Sequence, residues 1–307
     1  MKAVPVRIKV WTKVWSTART KAPINAHAPA APAGLGGPFF SRFRTILILG
    51  IAVFCLSRPM GILHAGAAGP DGLPHFPRTI VWAWERPEDL RFLDQAGEGI
   101  PQTGVAFLAR TLYLRAGEVI VRPRFQPLRI TPRTPLMAVV RIEPQRDGRL
   151  RLSEEQAKQA AGAIAEVAHL PQVTALQVDF DAVRSEREFY RQLLTYLRHQ
   201  VPASTPISIT ALASWCMDDD WITGLPIDEA VPMLFRMGVD HGNVVAFLSQ
   251  NSEFNAGLCR QSLGISTDEP LSNLPKGKRV YIFTNKSWDK ASLESARQEV
   301  ASETADK

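Results

Sequence analysis

Metal-ligand and nucleotide-binding motifs are scarce in this sequence. Its six histidines include no pair at metal-ligand spacing, and two of them, His27 and His64, lie in the N-terminal segment. The Gly34-Leu35-Gly36 stretch lies away from any strand-like run, and no phosphate-binding loop occurs elsewhere. No Gly-x-Ser-x-Gly elbow accompanies a candidate base. These absences argue against metal-dependent, nucleotide-dependent and acyl-transfer chemistry, so we expect no metal ion and no cofactor.

Acidic residues are absent from the first 70 residues, which contain nine Lys and Arg. The other 27 basic residues stand against 30 acidic ones, so the rest of the chain has a net charge of about −3. The high sequence pI of about 9.4 therefore belongs to the N-terminal segment. Nucleic-acid binding needs a basic face on the folded domain, so we expect no nucleic-acid partner.

Long apolar runs are missing from the N-terminal segment as well. The stretch Thr45–Leu56 has 12 residues, whereas an ordinary membrane-spanning helix needs ~20. It follows Arg42 and Arg44 and precedes the small residues Ala65-Gly66-Ala67, as in a secretory signal with a cleavage site. The region before it is unusually long, which an upstream start codon or an uncleaved membrane anchor would explain. We expect a leader over residues 1–68, export to the periplasm or anchoring that faces it, and membrane contact only through the leader.

Cysteine is rare, and one of the three, Cys55, lies in the leader. The other two, Cys216 and Cys259, lie in the body. In an oxidising compartment two such thiols are expected to form a disulfide, which stabilises a fold by ~2–4 kcal/mol. The alternative is that both are buried small hydrophobic side chains.

Strand-like and helix-like runs alternate over residues 69–300, and residues 301–307 are expected to form a frayed tail. Helices are predicted over about 154–169, 186–199 and 290–300. The first two follow capping boxes at Ser153-x-x-Gln156 and Ser185-x-x-Glu188. Strands are predicted over 79–85, 104–114, 136–143, 173–182, 206–213, 229–237, 262–266 and 279–284.

Eight strands in a body of about 240 residues predict a (β/α)8 TIM-like barrel, which typically has ~250 residues. An open doubly wound sheet is the alternative, but that fold usually carries a nucleotide site. An irregular hairpin is predicted over 118–130, and helices are missing after the second and fifth strands. The predicted barrel is therefore irregular.

Carboxylates end two neighbouring strands of the predicted barrel. The run Val173–Ala182 ends with Asp179 and Asp181 on one face, and the preceding strand ends with Arg141 and Glu143. Adjacent strands lie ~4.8 Å apart, so Glu143 and Asp181 can approach the ~5–5.5 Å separation of a retaining glycosidase pair. We predict Asp181, Glu143 and Asp179 as catalytic residues. The alternative for Asp179 is a structural ion pair with Arg141.

Further polar and aromatic side chains end the other strands. We predict Trp84, Glu85, Arg236 and Trp215 as substrate-binding residues together with Arg141, because tryptophan faces stack on sugar rings and charged groups orient them. The alternative for Trp215 is a lid over the barrel mouth, and Glu85 could instead hydrogen-bond the backbone of a loop.

Several segments together resemble an uncharacterised bacterial family known as domain of unknown function 3142. They are 81–90, 139–143, 176–194, 206–216, 228–238 and 262–270. The resemblance spans essentially all of residues 77–285. It implies an exported or membrane-anchored barrel with no assigned activity.

The fourth strand is also distantly similar to the D-x-D-x-E pattern of chitinase-like glycosidases. Asp179 and Asp181 match this pattern, but Val183 stands where the catalytic acid is expected, and the next glutamate, Glu186, begins a helix. The resemblance implies either that another acid such as Glu143 substitutes, or that the barrel binds glycans without cleaving them.

The function that we expect is therefore that of an exported glycoside-hydrolase-like barrel acting on carbohydrate or a cell-envelope glycan. A non-catalytic glycan- or envelope-binding protein on the same scaffold is the alternative. A structural partner of an envelope complex is a third possibility, which predicts a large exposed apolar patch.

Overall fold

The computed structural model describes residues 73, 75–95, 103–146, 151–272 and 274–304. The predicted leader over 1–68, with its apolar stretch and cleavage site, lies outside the described residues. Within the described residues, no helix combines the length and hydrophobicity that a membrane crossing requires. The last helix continues to Thr304, beyond its predicted end near residue 300.

Strands and helices have the following bounds. The strands are β1 (Thr79–Ala83), β2 (Glu88–Asp89), β3 (Thr103–Arg115), β4 (Glu118–Pro123), β5 (Leu128–Arg129), β6 (Leu136–Pro144), β7 (Val173–Asp179), β8 (Ile207–Leu212), β9 (Glu229–Met233), β10 (Ser262–Ser266) and β11 (Arg279–Phe283). The α-helices are α1 (Glu154–Ala165), α2 (Arg187–Gln200), α3 (His241–Gln250) and α4 (Lys290–Thr304). Short 3₁₀ helices span Arg91–Gln95, Glu166–His169, Arg184–Glu186, Ala213–Cys216, Asp220–Ile222, Gly238–Asp240 and Gly257–Cys259.

Parallel pairing closes eight of these strands into a barrel. Their order is β1-β11-β10-β9-β8-β7-β6-β3, and β3 pairs with β1 from Thr79↔Thr103 to Ala83↔Phe107. Each of the eight runs parallel to its neighbours, so the ring has no open edge. The predicted irregular TIM-like barrel is confirmed, and the open doubly wound sheet is wrong.

The predicted gaps in the helical layer are confirmed. β3 is followed by the antiparallel strand β4, and β8 is followed by the 3₁₀ turns at Ala213–Cys216 and Asp220–Ile222. Helix α3 is absent from the predicted elements because only Val244 of its ten residues is buried, which leaves little apolar periodicity in the sequence. The sixth strand ends at Met233, earlier than predicted, and Arg236 has a left-handed φ of 52° three residues later.

The two predicted capping boxes have different outcomes. The first is confirmed: Ser153 Oγ accepts a hydrogen bond from the Gln156 backbone at 3.2 Å, and the Gln156 side chain accepts one from the Ser153 backbone at 3.3 Å. The box at Ser185 is wrong. The carboxylate of Glu186 instead accepts a hydrogen bond from the backbone N–H of Val183 at 2.9 Å, and α2 begins after it.

Apolar side chains pack tightly inside the barrel. Those that point into its interior include Ile80, Trp82, Trp84, Ala106, Leu108, Met137, Val139, Ala175, Val231, Tyr281 and Phe283. A Cβ added at Gly264 would lie 2.8 Å from Met233 Sδ and 3.3 Å from the ring of Trp82. A side chain at this point of β10 would displace the end of the Met233 side chain, so the interior is a packed core.

A buried ion pair lies near the N-terminal ends of the strands. Glu229 is 0% exposed and Arg279 is 4% exposed, and Glu229 Oε1 accepts a hydrogen bond from Arg279 Nη1 at 2.7 Å. Glu229 Oε2 also accepts hydrogen bonds from the hydroxyl of Tyr281 at 2.6 Å and from Ser208 Oγ at 3.2 Å. These bonds offset the desolvation cost of burying both charges.

A chain of buried polar groups continues from this ion pair toward the barrel mouth. Gln177 Nε2 donates to Ser208 Oγ at 3.2 Å, and Gln177 Oε1 accepts from Trp82 Nε1 at 2.9 Å. Gln177 is the inward-facing residue of β7 that precedes Asp179, because alternate strand residues share a face. The same alternation therefore brings Asp179 to the mouth.

The predicted disulfide between Cys216 and Cys259 is present, with its Cα atoms 5.8 Å apart. It joins the turn after β8 to the turn before β10, and both cysteines are buried. Nearby, the backbone N–H of Ala256 donates to the carbonyl of Cys216 at 3.1 Å. This pair of contacts holds two loop segments together on the flank of the barrel where β8 lacks a following helix.

We expect the Glu229→Ala variant to lose about 3–5 kcal/mol of unfolding free energy, because Arg279 would remain buried without a counter-charge. Urea denaturation followed by circular dichroism measures this loss. Replacing both Glu229 and Arg279 with Met should recover part of it. Asp89→Ala, which breaks an exposed pair with Arg91, serves as the control and should behave like the parent protein. Equal stability of Glu229→Ala and Asp89→Ala would contradict this assignment.

We expect replacement of Cys216 and Cys259 by Ser to lower the unfolding free energy by ~2–4 kcal/mol, since the disulfide closes a loop with a sequence separation of 43. Denaturation of the oxidised parent with and without a reductant should reproduce the difference. Peptide mapping that recovers both thiols free in protein exported to an oxidising compartment would contradict the pairing.

Candidate active site at the barrel mouth

Arg141 lies between two carboxylates at the C-terminal end of the barrel. The register of β6 and β7 pairs Arg141 with Asp179. Arg141 Nε lies 2.9 Å from Glu143 Oε1, and Arg141 Nη1 lies 3.6 Å from Asp179 Oδ2. The guanidinium also lies over the ring of Trp84, 5.6 Å from its centroid. The predicted ion pair between Arg141 and Asp179 is therefore present, and Glu143 joins it.

Asp179 is the more constrained of the two β7 carboxylates. Its Oδ1 accepts a hydrogen bond from Thr210 Oγ1 at 2.8 Å, while Oδ2 faces Arg141. Its side chain is 14% exposed. Both oxygens thus have fixed partners, which suits a group that orients its neighbours and holds a negative charge in place.

Asp181 follows the end of β7 and has a different environment. Phe180 beside it is buried against the ring of Tyr190, with centroids 5.0 Å apart, which fixes the backbone between the two aspartates. Arg146 Nη2 donates to the backbone carbonyl of Asp181 at 2.9 Å. Among the described residues, no hydrogen bond or ion pair reaches the Asp181 carboxylate itself, and solvent touches it. This carboxylate is therefore the most available one at the mouth.

The protein atoms and charges around Asp181 change its acidity, although the residue itself is exposed to solvent. Surrounding protein disfavours its charged form, and the negative charge of Asp179 acts in the same direction. The positive charges of Arg141 and Arg146 oppose both effects. The balance raises the pKa of Asp181 to about 6. A carboxyl group with this pKa can donate or accept a proton near neutral pH.

Glu143 and Glu85 complete the acidic side chains of this region. Glu143 is 41% exposed and is paired with Arg141. Glu85 follows β1, and its Oε1 lies 3.6 Å from Arg122 Nη1. Glu85 thus pairs with Arg122 of β4. Sequence analysis did not predict this contact, because Arg122 is distant from Glu85 in the chain.

Glu186 is not available for proton transfer. Arg146 binds both of its oxygens, with Nε 2.8 Å from Oε1 and Nη2 2.7 Å from Oε2. The backbone N–H of Val183 is a third partner, and the Glu186 side chain is 5% exposed. Glu186 therefore cannot replace the acid that is missing at Val183.

The two predicted tryptophans do not offer open ring faces. Trp215 is 4% exposed and packs in the outer core, perpendicular to Trp221 at a centroid distance of 4.8 Å. The buried ring of Trp215 has no open face for stacking on a sugar, so the structure gives no support to its predicted role as a sugar platform. Trp84 does lie at the mouth, but Arg141 covers its ring and Phe283 meets it edge-on at 6.2 Å.

Arg236 forms a second cluster with acidic partners at the ends of β9 and β10. Its Nη2 lies 3.0 Å from Asp268 and its Nε lies 3.3 Å from Glu269. Its guanidinium lies 5.6 Å from the ring centroid of Phe283, which also contacts Trp84. Arg236 thus has carboxylate partners as expected, but they are not the carboxylates beside Arg141. Its left-handed backbone stores strain of the kind that concentrates at functional sites.

Thr210 and Arg146 are site residues that sequence reasoning missed. Strand alternation from Ser208 places Thr210 on the inward face of β8, so its position could have been found from the strand alone. Arg146 follows β6 in an exposed loop, and nothing in its local sequence indicates the contacts that it makes. Within the described residues, no three His, Cys, Asp or Glu side chains are grouped so that they could hold a metal ion.

We expect a carboxyl-detected NMR titration to give a pKa of about 6 for Asp181. In the Asp179→Asn variant this pKa should fall, because the like charge that raises it is gone. Asp89 is the internal control: its hydrogen bond with Arg91 lowers its pKa to about 2, and the distant substitution should not change that value. An Asp181 that titrates with an ordinary aspartate pKa, and does not respond to Asp179→Asn, would contradict the described environment.

Comparison with known proteins identifies a family over part of the chain. The family described as Domain of unknown function (DUF3142) matches residues 131–231. The predicted resemblance to this family is confirmed over that stretch, which runs from before β6 into β9. It contains Arg141, Glu143, Asp179, Asp181 and Thr210.

The other comparisons add less. No curated protein matches the chain. A crystal structure described as "putative Chitinase A from Streptomyces coelicolor" is similar with 10% sequence identity and a TM-score of 0.46, covering 74% of this chain and 98% of that chain. At that identity and score the similarity carries no information on activity.

Proposed function

We propose that this protein, in which the DUF3142 family matches residues 131–231, is an exported barrel that acts on carbohydrate as a glycosidase-like hydrolase. One observation carries the proposal. Asp181 stands at the C-terminal mouth without a described partner, its pKa is raised to about 6, and an ordered group of Glu143, Arg141 and Asp179 lies beside it. Active sites of closed parallel barrels lie at this face.

Of the two acids that would carry the chemistry, Glu143 lies in β6, and Asp181 follows the end of the neighbouring strand β7. Arg141 pairs in register with Asp179. Glu143 and Asp181 each come two residues after this pair, so both lie at the same end of the barrel. In the proposed reaction Asp181 donates a proton to the glycosidic oxygen. Glu143, held in position by its ion pair with Arg141, acts as the nucleophile or as the base that activates water.

Asp179 and Arg141 act as positioning residues in this proposal. Asp179, fixed by Thr210, raises the pKa of Asp181 through its negative charge, so that Asp181 keeps its proton at higher pH. Arg141 holds Glu143 and Asp179 in fixed positions. Glu85 and Arg236 remain proposed substrate contacts at the rim, and Trp84, whose ring Arg141 covers, would act by holding that guanidinium in place.

Export is part of the proposal because of the leader and the disulfide. Disulfides persist in oxidising compartments, and Cys216 is bonded to Cys259. The leader pattern over residues 1–68 has the features of a secretory signal or an anchor. We therefore propose a periplasmic or periplasm-facing protein whose barrel domain begins near residue 69.

We expect Asp181→Asn and Glu143→Gln each to lower the hydrolysis rate by about 10²–10⁴-fold, because each removes a group that transfers a proton or attacks the sugar. Release of reducing ends from a panel of soluble polysaccharides measures the rate. Glu166→Gln, which removes an exposed carboxylate paired with Arg110, is the matched control and should retain parent activity. In the parent protein the rate should fall as the pH rises above about 6, since the acid must be protonated.

Unchanged turnover in both variants would contradict the proposed catalytic roles. A second function, non-catalytic glycan binding, is favoured by one observation: Val183 occupies the position of the expected acid, and Arg146 immobilises Glu186. Binding of a polysaccharide that persists in the Asp181→Asn, Glu143→Gln double variant, with no product from the parent protein, would establish that alternative.

A further inference from the structure

Part of the sheet continues above the barrel mouth. β3 pairs with β1 only as far as Phe107, and beyond a bulge between Leu108 and Arg110 it continues between β6 and β4. We name this extension the mouth wall; it comprises residues 110–115 of β3, 118–123 of β4 and 141–144 of β6. Arg141 and Glu143 are therefore part of this wall.

The two faces of the mouth wall differ. On the outer face, Leu112, Leu114 and Ile142 are buried in the outer core. Gln156 of α1 also donates hydrogen bonds to the carbonyls of Arg115 at 3.3 Å and Glu118 at 3.1 Å, so this helix holds the wall from outside. The alternate residues of the same strands point to the inner face. This face carries Glu143 and Arg141, so it is directed toward the mouth.

An aromatic and an aliphatic side chain lie side by side on the inner face. Tyr113 pairs in register with Glu143 on one side and with Ile120 on the other. Tyr113 is partly exposed, and Ile120 is 38% exposed. Directly opposed residues on neighbouring strands have Cβ atoms ~4.5–5.5 Å apart, so the two side chains form one continuous surface next to Glu143.

Polar contacts hold the Tyr113 ring in place. Its hydroxyl accepts a hydrogen bond from Arg122 Nη1 at 3.4 Å, and the same guanidinium pairs with Glu85. The guanidinium of Arg115 lies 5.9 Å from the ring centroid. The hydrogen bond to Tyr113, with the charges of Glu85 and Glu143, raises the pKa of Arg122. The ring is thus oriented before any ligand binds, which lowers the entropic cost of stacking on it.

We propose that the inner face of the mouth wall is a binding subsite for an uncharged polysaccharide, in which Tyr113 stacks on a sugar ring adjacent to the one held between Glu143 and Asp181. Carbohydrate as the ligand class rests on the proposed function. Continuity of the wall with the carboxylates supports the placement. Arg115, Arg122 and Arg141 are balanced by Glu85, Glu118 and Glu143, so this face favours a neutral chain over a polyanion. Occupying both this subsite and the position between the carboxylates requires a ligand of at least two linked sugars.

Affinity electrophoresis of the full chain tests the proposal, with Asp181→Asn as the parent so that no probe is cleaved. The gels contain glycol chitin or hydroxyethyl cellulose as neutral probes, or alginate as the anionic one. We expect Tyr113→Ala to weaken retention in a neutral gel on the order of tenfold, and Tyr113→Phe, which keeps the ring, to stay within about twofold. Val121→Ala changes the neighbouring residue on the opposite face of β4 and is the matched control.

Three gel results would overturn the subsite: no retention of the parent in either neutral gel, equal retention of Tyr113→Ala and Val121→Ala, or stronger retention of the parent in alginate than in the neutral gels. A sedimentation coefficient that differs between the parent and Tyr113→Ala would also overturn it, because the wall would then be an interface between copies of the chain. The subsite and the proposed hydrolysis can fail separately. If cleavage depends on Asp181 but Tyr113→Ala does not change retention, only the subsite is contradicted. Tyr113-dependent retention with no cleavage by the unmodified protein supports the subsite and removes the hydrolysis.

Discussion

The buried ion pair of Glu229 and Arg279 fixes where the ring of strands closes. Arg279 begins β11, and its guanidinium also donates to the backbone carbonyls of Leu73 at 2.6 Å and Pro77 at 3.2 Å, in the chain that enters β1. An isolated charge at this depth would be strongly unfavourable, so the pair constrains which strands become neighbours. Tyr281 adds a second bond from β11 to Glu229. One interaction thus links β9, β11 and the start of β1.

The site at the mouth depends on the same register. Ser208 and Gln177 face the interior in the lower half, and strand alternation then places Thr210 and Asp179 at the upper end. A slip of one residue in β7 would exchange Asp179 for Phe180 and turn an aromatic ring toward the hollow. The acidity of Asp181 is therefore a consequence of barrel packing as much as of the local sequence.

Most of the strands, the barrel and the Arg141–Asp179 pair could be predicted from the sequence, because strand patterns and strand-end charges are local signals. The environment of Trp215 could not, since a tryptophan that follows a strand can face the mouth or the outer core with the same sequence pattern. The cap at Glu186 depends on Arg146, forty positions away, and no local pattern indicates that contact. The position of Tyr113 beside Glu143 could not be predicted either, because it depends on the register between β3 and β6.

The close packing around Gly264 has a consequence for how any large molecule would approach. Met233 and Trp82 fill the interior beside Gly264, so no open channel runs through the ring of strands at this level. A long molecule cannot thread through the barrel from one side to the other. Any molecule that reaches the strand ends therefore has to enter and leave from the side of the mouth.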